Sequence, residues 1–166
     1  YYSRAVMKAG PDGRPVDAKQ LPPEELTDMG WEVYPEGLEE TLIRIHREYT
    51  PIELYVTENG AAYDYPMDAS GRIADVKRVD YLRGHLGAAQ RAIQAGVPLK
   101  GYFAWSLMDN FEWGHGYEKR FGLYAVDYET QKRTPKDSAF WYREAISSNS
   151  VEVGTAAESQ GESRAV

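Results

Sequence analysis

Two short apolar runs constrain this chain more than any other feature. Ile52 to Thr57 and Leu99 to Trp105 are rich in β-branched and aromatic residues, and runs of that length fit strands better than helices. Between them Val79, Leu82, Leu86, Ala89 and Ile93 recur at helical spacing, with Asp75 as the N-cap and Gly96 and Pro98 as the stop. Strand, helix, strand in that order is a βαβ unit, so the two strands are expected to lie parallel in one sheet. A helix precedes the unit, opened by Pro35, patterned by Leu38, Leu42, Ile45 and Tyr49, and stopped by Pro51. After it, Leu123 to Tyr128 reads as a short strand, and Pro135 opens a last helix with Phe140, Trp141 and Ile146 as its apolar residues.

Each strand is followed by a loop that carries unusual polar residues. That is the layout of an α/β fold of the (β/α)8 type, in which the chemistry sits on the loops after the strands. A complete barrel takes about 250 residues, whereas this chain has 166. It holds two complete strands and the end of a third, so it is expected to form an incomplete barrel on its own. Residues 1–146 make up that portion. Residues 147–166 are Ser, Glu, Gly and Ala with little to bury, and are expected to form a disordered polar tail. Residues 7–30, rich in Pro and Gly, read as one long loop. The start at Tyr1-Tyr2, without Met, suggests a fragment or a processed chain.

Charge and composition narrow the function classes. A net charge of −7 disfavours nucleic-acid binding, which needs a basic face. No apolar run approaches the length of a membrane span. The chain has no cysteine, which excludes disulfides and thiolate metal sites and points towards a cytoplasmic location. No His, Asp and Glu set has metal-ligand spacing. His46 and His85 lie on helical patterns and read as surface or packing residues, while His115 sits in a loop where it could touch a ligand.

Two loops carry candidate chemistry. Glu58 ends the first strand and is followed by Asn59-Gly60, a dipeptide suited to a sharp turn. It is either a carboxylate aimed into a pocket or a solvated strand-end Glu. The second strand runs into Trp105-Ser-Leu-Met-Asp-Asn-Phe-Glu112-Trp113. Two indoles and a carboxylate there make either a sugar platform or a loop packed for stability, since a carboxylate can accept from two neighbouring hydroxyls at once.

At this point a family resemblance emerges. Tyr55-Val-Thr-Glu-Asn-Gly60 and Gly101-Tyr-Phe-Ala-Trp-Ser-Leu-Met-Asp-Asn-Phe-Glu-Trp113 closely resemble family 1 glycoside hydrolases. So do Arg78, Tyr81, Leu82 and His85, the stretch Gly122 to Asp127, and Arg133-Thr-Pro-Lys136. The resemblance covers roughly residues 1–146 and implies the carboxy-terminal part of a (β/α)8 barrel, from the end of its sixth strand through its eighth helix. It implies a retaining β-glucosidase with no cofactor, acting on a β-glucoside. Glu58 corresponds to the nucleophile, and Tyr2 to the tyrosine that donates to it and keeps it ionised. Trp105 corresponds to the platform under the glycone, Glu112 to the acceptor for its O4 and O6 hydroxyls, and Trp113 to an indole donor. Phe121 corresponds to an aromatic near the O6 edge, and Trp31 to the tryptophan at the aglycone entrance. Glu112 implies an unphosphorylated sugar (a glucoside or the related fucoside or galactoside), because a carboxylate repels a phosphate dianion.

The chain also departs from the family pattern. The family's acid/base is the Glu of an Asn-Glu-Pro motif, and no Asn-Glu-Pro occurs here. The glycone-binding Gln, His and Asn of the family's first half are missing too. The expectation is therefore a catalytic half that works only with the absent amino-terminal part as its partner. The alternatives are a carbohydrate-binding piece without turnover and a structural remnant with open strand edges.

Overall fold

A computed structural model describes residues 7–9, 11–12, 15–17 and 26–151. The elements run β1 (Met7–Ala9), β2 (Pro15–Asp17), α1 (Pro35–Tyr49), β3 (Leu54–Asn59), α2 (Val76–Gln94), β4 (Leu99–Ala104), β5 (Tyr124–Val126), β6 (Arg133–Pro135) and α3 (Asp137–Ser148). A single 3-10 turn, Trp113–His115, interrupts the loop after β4.

The expected βαβ unit forms. β3 and β4 pair in parallel, with Leu54 opposite Leu99, Val56 opposite Tyr102 and Asn59 opposite Ala104. Pairing starts two residues later than the apolar run. The Leu54 N–H is the first to reach across, donating to the Pro98 carbonyl at 2.9 Å, while Ile52 stays 93% exposed. It also lasts two residues longer, so Glu58 lies inside β3 rather than just beyond it.

One face of the pair is covered by α1 and α2. Leu38, Leu42, Ala92 and Val97 form its buried centre, and Ile43, Leu54, Val56, Leu99 and Tyr102 pack around them. The strands leave Tyr55 and Phe103 exposed. No other described strand pairs with β3 or β4.

Several expectations need correction. The stretch read as one long loop contains the antiparallel β1–β2 hairpin. Pro135 ends a strand instead of opening a helix: β6 pairs antiparallel with β5, and α3 starts at Asp137. The short strand expected over Leu123 to Tyr128 forms as β5 and makes a separate two-stranded sheet with β6. On α3, Phe140 and Ile146 are exposed, and Ser138 is the residue that is buried. The helix runs on to Ser148, into the stretch expected to be tail, and residues 152–166 lie outside the described residues.

The buried stripe of α2 also differs from the apolar pattern. Arg78, Tyr81, Leu82, His85, Ala88, Ala89 and Ala92 are buried, whereas Ile93 is 50% exposed. The stripe includes two basic residues because each finds partners inside. Arg78 donates through Nη1 to Asp75 and through Nη2 to the Tyr63 and Arg120 carbonyls. Asp75, expected as the N-cap, makes no side-chain cap and instead holds Ser138 through its N–H at 2.8 Å and its hydroxyl. A buried carboxylate needs such donors to offset lost hydration.

His85 is fully buried, stacked on the Tyr81 ring with centroids 3.9 Å apart. Its Nδ1 lies 2.7 Å from the Tyr81 carbonyl, which can only accept, so Nδ1 carries the proton. Burial outweighs that bond and lowers the His85 pKa from 6.5 to about 4. A base held below its unfolded value stabilises the fold above pH 6.5, and the contribution is lost as pH falls from 6.5 through about 4. The full difference amounts to roughly 3 kcal/mol. Replacing His85 by Gln should therefore flatten the decline in stability over that window, as read from urea midpoints at a series of pH values. An unchanged slope would show that His85 does not titrate this way.

Candidate active site

The ends of β3 and β4 are bound to each other by their backbones. The Trp105 N–H donates to the Asn59 carbonyl at 2.8 Å. The Asn59 side chain is fixed as well, donating to the Tyr81 hydroxyl at 3.2 Å and accepting from the Tyr102 hydroxyl at 2.5 Å. Glu58, one residue earlier, is exposed, and no described residue donates a hydrogen bond to it. Its backbone is held by the pairing at Val56 and Asn59 on either side.

Gly60 allows this closeness. A Cβ at Gly60 would sit 1.7 Å from the Trp105 carbonyl oxygen, a backbone atom that cannot move without carrying Trp105 with it. Gly60→Ala should therefore displace the strand end from Trp105. Misplacement on the scale of 1 Å reduces rates about 100-fold, so the expected loss in kcat/KM in the active enzyme is of that order. A loss below threefold would mean that the spacing is not critical.

Trp105 and Glu112 meet directly. The Trp105 indole Nε1 donates to Glu112 Oε1 at 3.2 Å, and Glu112 is only 8% exposed. Glu112 stays in place through its own backbone, which donates to Gly116 O at 2.7 Å and accepts from His115 N at 2.9 Å. The peptide between Trp105 and Ser106 is cis. Trp113, next in the chain, takes a left-handed φ of 49° and is 84% exposed. Bulky residues seldom adopt this conformation.

The remaining aromatics form a second group. Phe121 is buried, with its ring centroid 6.2 Å from that of Trp31, which is 41% exposed. The Phe121 carbonyl accepts from Ser106 N at 3.2 Å, joining this group to the Trp105 loop. Tyr2 lies outside the described residues.

Residues with no obvious local signal hold the loop together. Asp109 is 3% exposed and bonded to Gly122 N, Lys136 Nζ and Arg120 Nη1. Burial, with the nearby Arg78 charge, pulls the Lys136 pKa down to about 8 against the opposing pull of Asp109. Sequence reasoning noted Arg78 and Lys136 only as matching positions and gave Asp109 no role. Among the described residues no group of three or more His, Cys, Asp or Glu could hold a metal ion. No described helix is long and apolar enough to cross a membrane.

The model of glycosyl hydrolase family 1 matches residues 4–151. The chain belongs to glycosyl hydrolase family 1. It is 50% identical over 155 residues to "Beta-glucosidase A" of Thermotoga maritima, covering 92% of this chain and 34% of that protein. It is 47% identical over 129 residues to a "6-phospho-beta-galactosidase" of Streptococcus equi subsp. zooepidemicus, covering 76% of this chain and 27% of that protein. Among solved structures, the Thermotoga maritima β-glucosidase in complex with castanospermine superposes with a TM-score of 0.81 at 51% identity, over 92% of this chain and 34% of that one. The chain thus spans about a third of the length of these relatives. The family fold is the (β/α)8 barrel, and this chain forms its carboxy-terminal part. β3 and β4 are two of its parallel strands, and the exposed Tyr55 and Phe103 lie on the side away from the helices.

Proposed function

We propose that this chain supplies the nucleophile and one wall of the sugar pocket of a retaining β-glucosidase. The enzyme would release terminal non-reducing β-D-glucosyl residues, including those of cellulose fragments. The observation that supports this reading is the junction of the two strand ends, where Asn59, the residue after Glu58, is tied to Trp105 by a backbone bond at 2.8 Å. Barrel enzymes place their catalytic groups at this end of the strands.

In the proposed reaction the Glu58 carboxylate attacks the anomeric carbon and the glycosidic C–O bond breaks. An acid on another part of the barrel protonates the leaving oxygen. The same group then takes a proton from water, which displaces Glu58 and restores it. The two carboxyls of a retaining pair stand about 5–5.5 Å apart. Tyr2 would orient Glu58, Trp105 would stack under the sugar, and Glu112 would accept from its O4 and O6. Trp113 would donate to a ring hydroxyl, Phe121 would border the O6 edge, and Trp31 would line the aglycone entrance.

Activity then depends on the amino-terminal part of the barrel, because the chain carries no Asn-Glu-Pro acid and general acid–base assistance is typically worth about 10²–10⁴-fold. The unphosphorylated substrate is supported by Glu112, whose buried carboxylate would repel a phosphate at O6. A second reading, a carbohydrate-binding piece without turnover, is favoured by the sugar-binding wall at Trp105 and Glu112, which forms within this chain alone.

Aryl glucoside hydrolysis by the chain, with and without the complementary part of the barrel, separates these readings. The proposal expects turnover only in the combined enzyme and a higher kcat/KM for the glucoside than for its 6-phosphate. No turnover in either case would support the binding piece, and preference for the phosphorylated sugar would overturn the substrate assignment.

A further inference from the structure

We propose that Asp109 is a positioning residue for glycone recognition, setting Glu112 at the height where it meets the sugar's O4 and O6 hydroxyls. The inference rests on reading Glu112 as the acceptor for those hydroxyls.

The loop from Trp105 to Phe121 begins at the end of β4 and returns beside its own start. Its outgoing arm, residues 106–109, lies along residues 121–124. Leu123 N donates to Ser106 O at 2.9 Å, Tyr124 N to Leu107 O at 3.0 Å and Asp109 N to Tyr124 O at 3.0 Å. Asp109 locks the two arms with its carboxylate. Oδ1 accepts from Gly122 N at 2.8 Å and Lys136 Nζ at 3.0 Å. Oδ2 accepts from Val126 N at 3.4 Å and Arg120 Nη1 at 3.5 Å.

These donors come from the returning arm, β5 and the residue before α3. An ionised carboxylate offers about four lone-pair sites, and each of the four donors takes one. The approach is so close that a Cβ on Gly122 would lie 2.1 Å from Asp109 N.

Glu112 follows Asp109 by one short stretch of loop. Among the described residues its carboxylate has one donor, the Trp105 indole at 3.2 Å, so its position is set mainly by where the backbone is held. Asp109 and Asn110 are both held just before it, Asn110 by bonds to Ser106 Oγ at 3.1 Å and from the Tyr128 hydroxyl at 3.3 Å, and Asp109 carries the charged contacts. Lys136 and Arg120 direct two cations at Asp109, and with Asn in its place one oxygen becomes an N–H facing donors. The buried Lys136 ammonium then loses its charged acceptor, and the arms separate at the base of the Glu112 loop.

A general packing role would lower activity towards every substrate alike. A positioning role through Glu112 singles out sugars that present an O6. The test measures kcat/KM for aryl β-D-glucoside and aryl β-D-xyloside, which lacks the O6 arm, in the active enzyme containing this chain. Wild type is compared with Asp109→Asn, Lys136→Gln and Glu112→Gln.

Asp109→Asn should lower glucoside kcat/KM by about tenfold to a hundredfold, the scale of a lost hydrogen bond to a charged group, mostly through KM. The xyloside value should fall at least fivefold less, so that the change in selectivity parallels that of Glu112→Gln. Lys136→Gln, which keeps a donor but removes the charge, should move selectivity in the same direction by a smaller factor. It also provides the reading if Asp109→Asn does not fold.

Equal losses on both substrates in the Asp109 and Lys136 variants, with Glu112→Gln still selective, would overturn the positioning role and leave the function of Glu112 intact. Unchanged selectivity in Glu112→Gln would overturn the role assigned to Glu112, and the inference with it.

Discussion

Glu58→Gln should abolish glucoside turnover by the active enzyme while leaving sugar binding within threefold of wild type. Glutamine keeps the size and hydrogen-bonding shape of the side chain but cannot attack the anomeric carbon. Removing a nucleophile whose partners remain in place costs on the order of 10⁶-fold in kcat. Binding should survive because Trp105 and Glu112, the proposed sugar wall, are joined to each other and not to Glu58. Stopped-flow or steady-state kinetics with an activated aryl glucoside, together with tryptophan fluorescence titration by a glucose-like inhibitor, reads both quantities. A loss below tenfold in kcat would remove Glu58 from its assigned role.

The largest effect on stability is expected at Asp75. Its carboxylate is fully buried, paired with the 1%-exposed Arg78 and bonded to Ser138 on α3. Asp75→Ala leaves the guanidinium buried with its two carbonyl acceptors but no counter-charge. Breaking a buried pair on one side costs about 3–5 kcal/mol, a large share of what any domain of this size has. The joint replacement Asp75→Leu with Arg78→Met should be milder, because it leaves no unpaired charge behind. Urea unfolding of wild type, single and double variants gives the comparison. A single variant less than 1 kcal/mol below wild type would show that the pair is not a structural keystone.

Much of the fold was legible because its signals are local. The apolar runs at β3 and β4 and the spacing of Leu38 and Leu42 on α1 reflect the period of each element. The rest depends on partners distant in sequence. The buried stripe of α2 includes Arg78 and His85 only because Asp75, carbonyls and the Tyr81 ring accept them. No helical period can announce such partners. Pro135 looked like a helix start, but Tyr124 pairs with it and draws it into a strand.

The site divides in the same way. The neighbourhood of Glu58, Trp105 and Glu112 followed from long motifs, and the structure joins Trp105 both to Asn59 and to Glu112. The role of Asp109 did not follow, because its donors come from Arg120, Gly122, Val126 and Lys136, residues that meet only when the loop closes.

The central claim is that Glu58 is the nucleophile of a pair whose acid lies elsewhere in the barrel. A 2-deoxy-2-fluoro glucoside with an activated leaving group slows release of the sugar from the nucleophile, so the covalent intermediate accumulates. Peptide mass spectrometry after incubation of the combined enzyme should show one fluoroglucosyl adduct, on Glu58, with none in Glu58→Gln. An adduct on any other residue, or full turnover with no adduct on Glu58, would contradict the account.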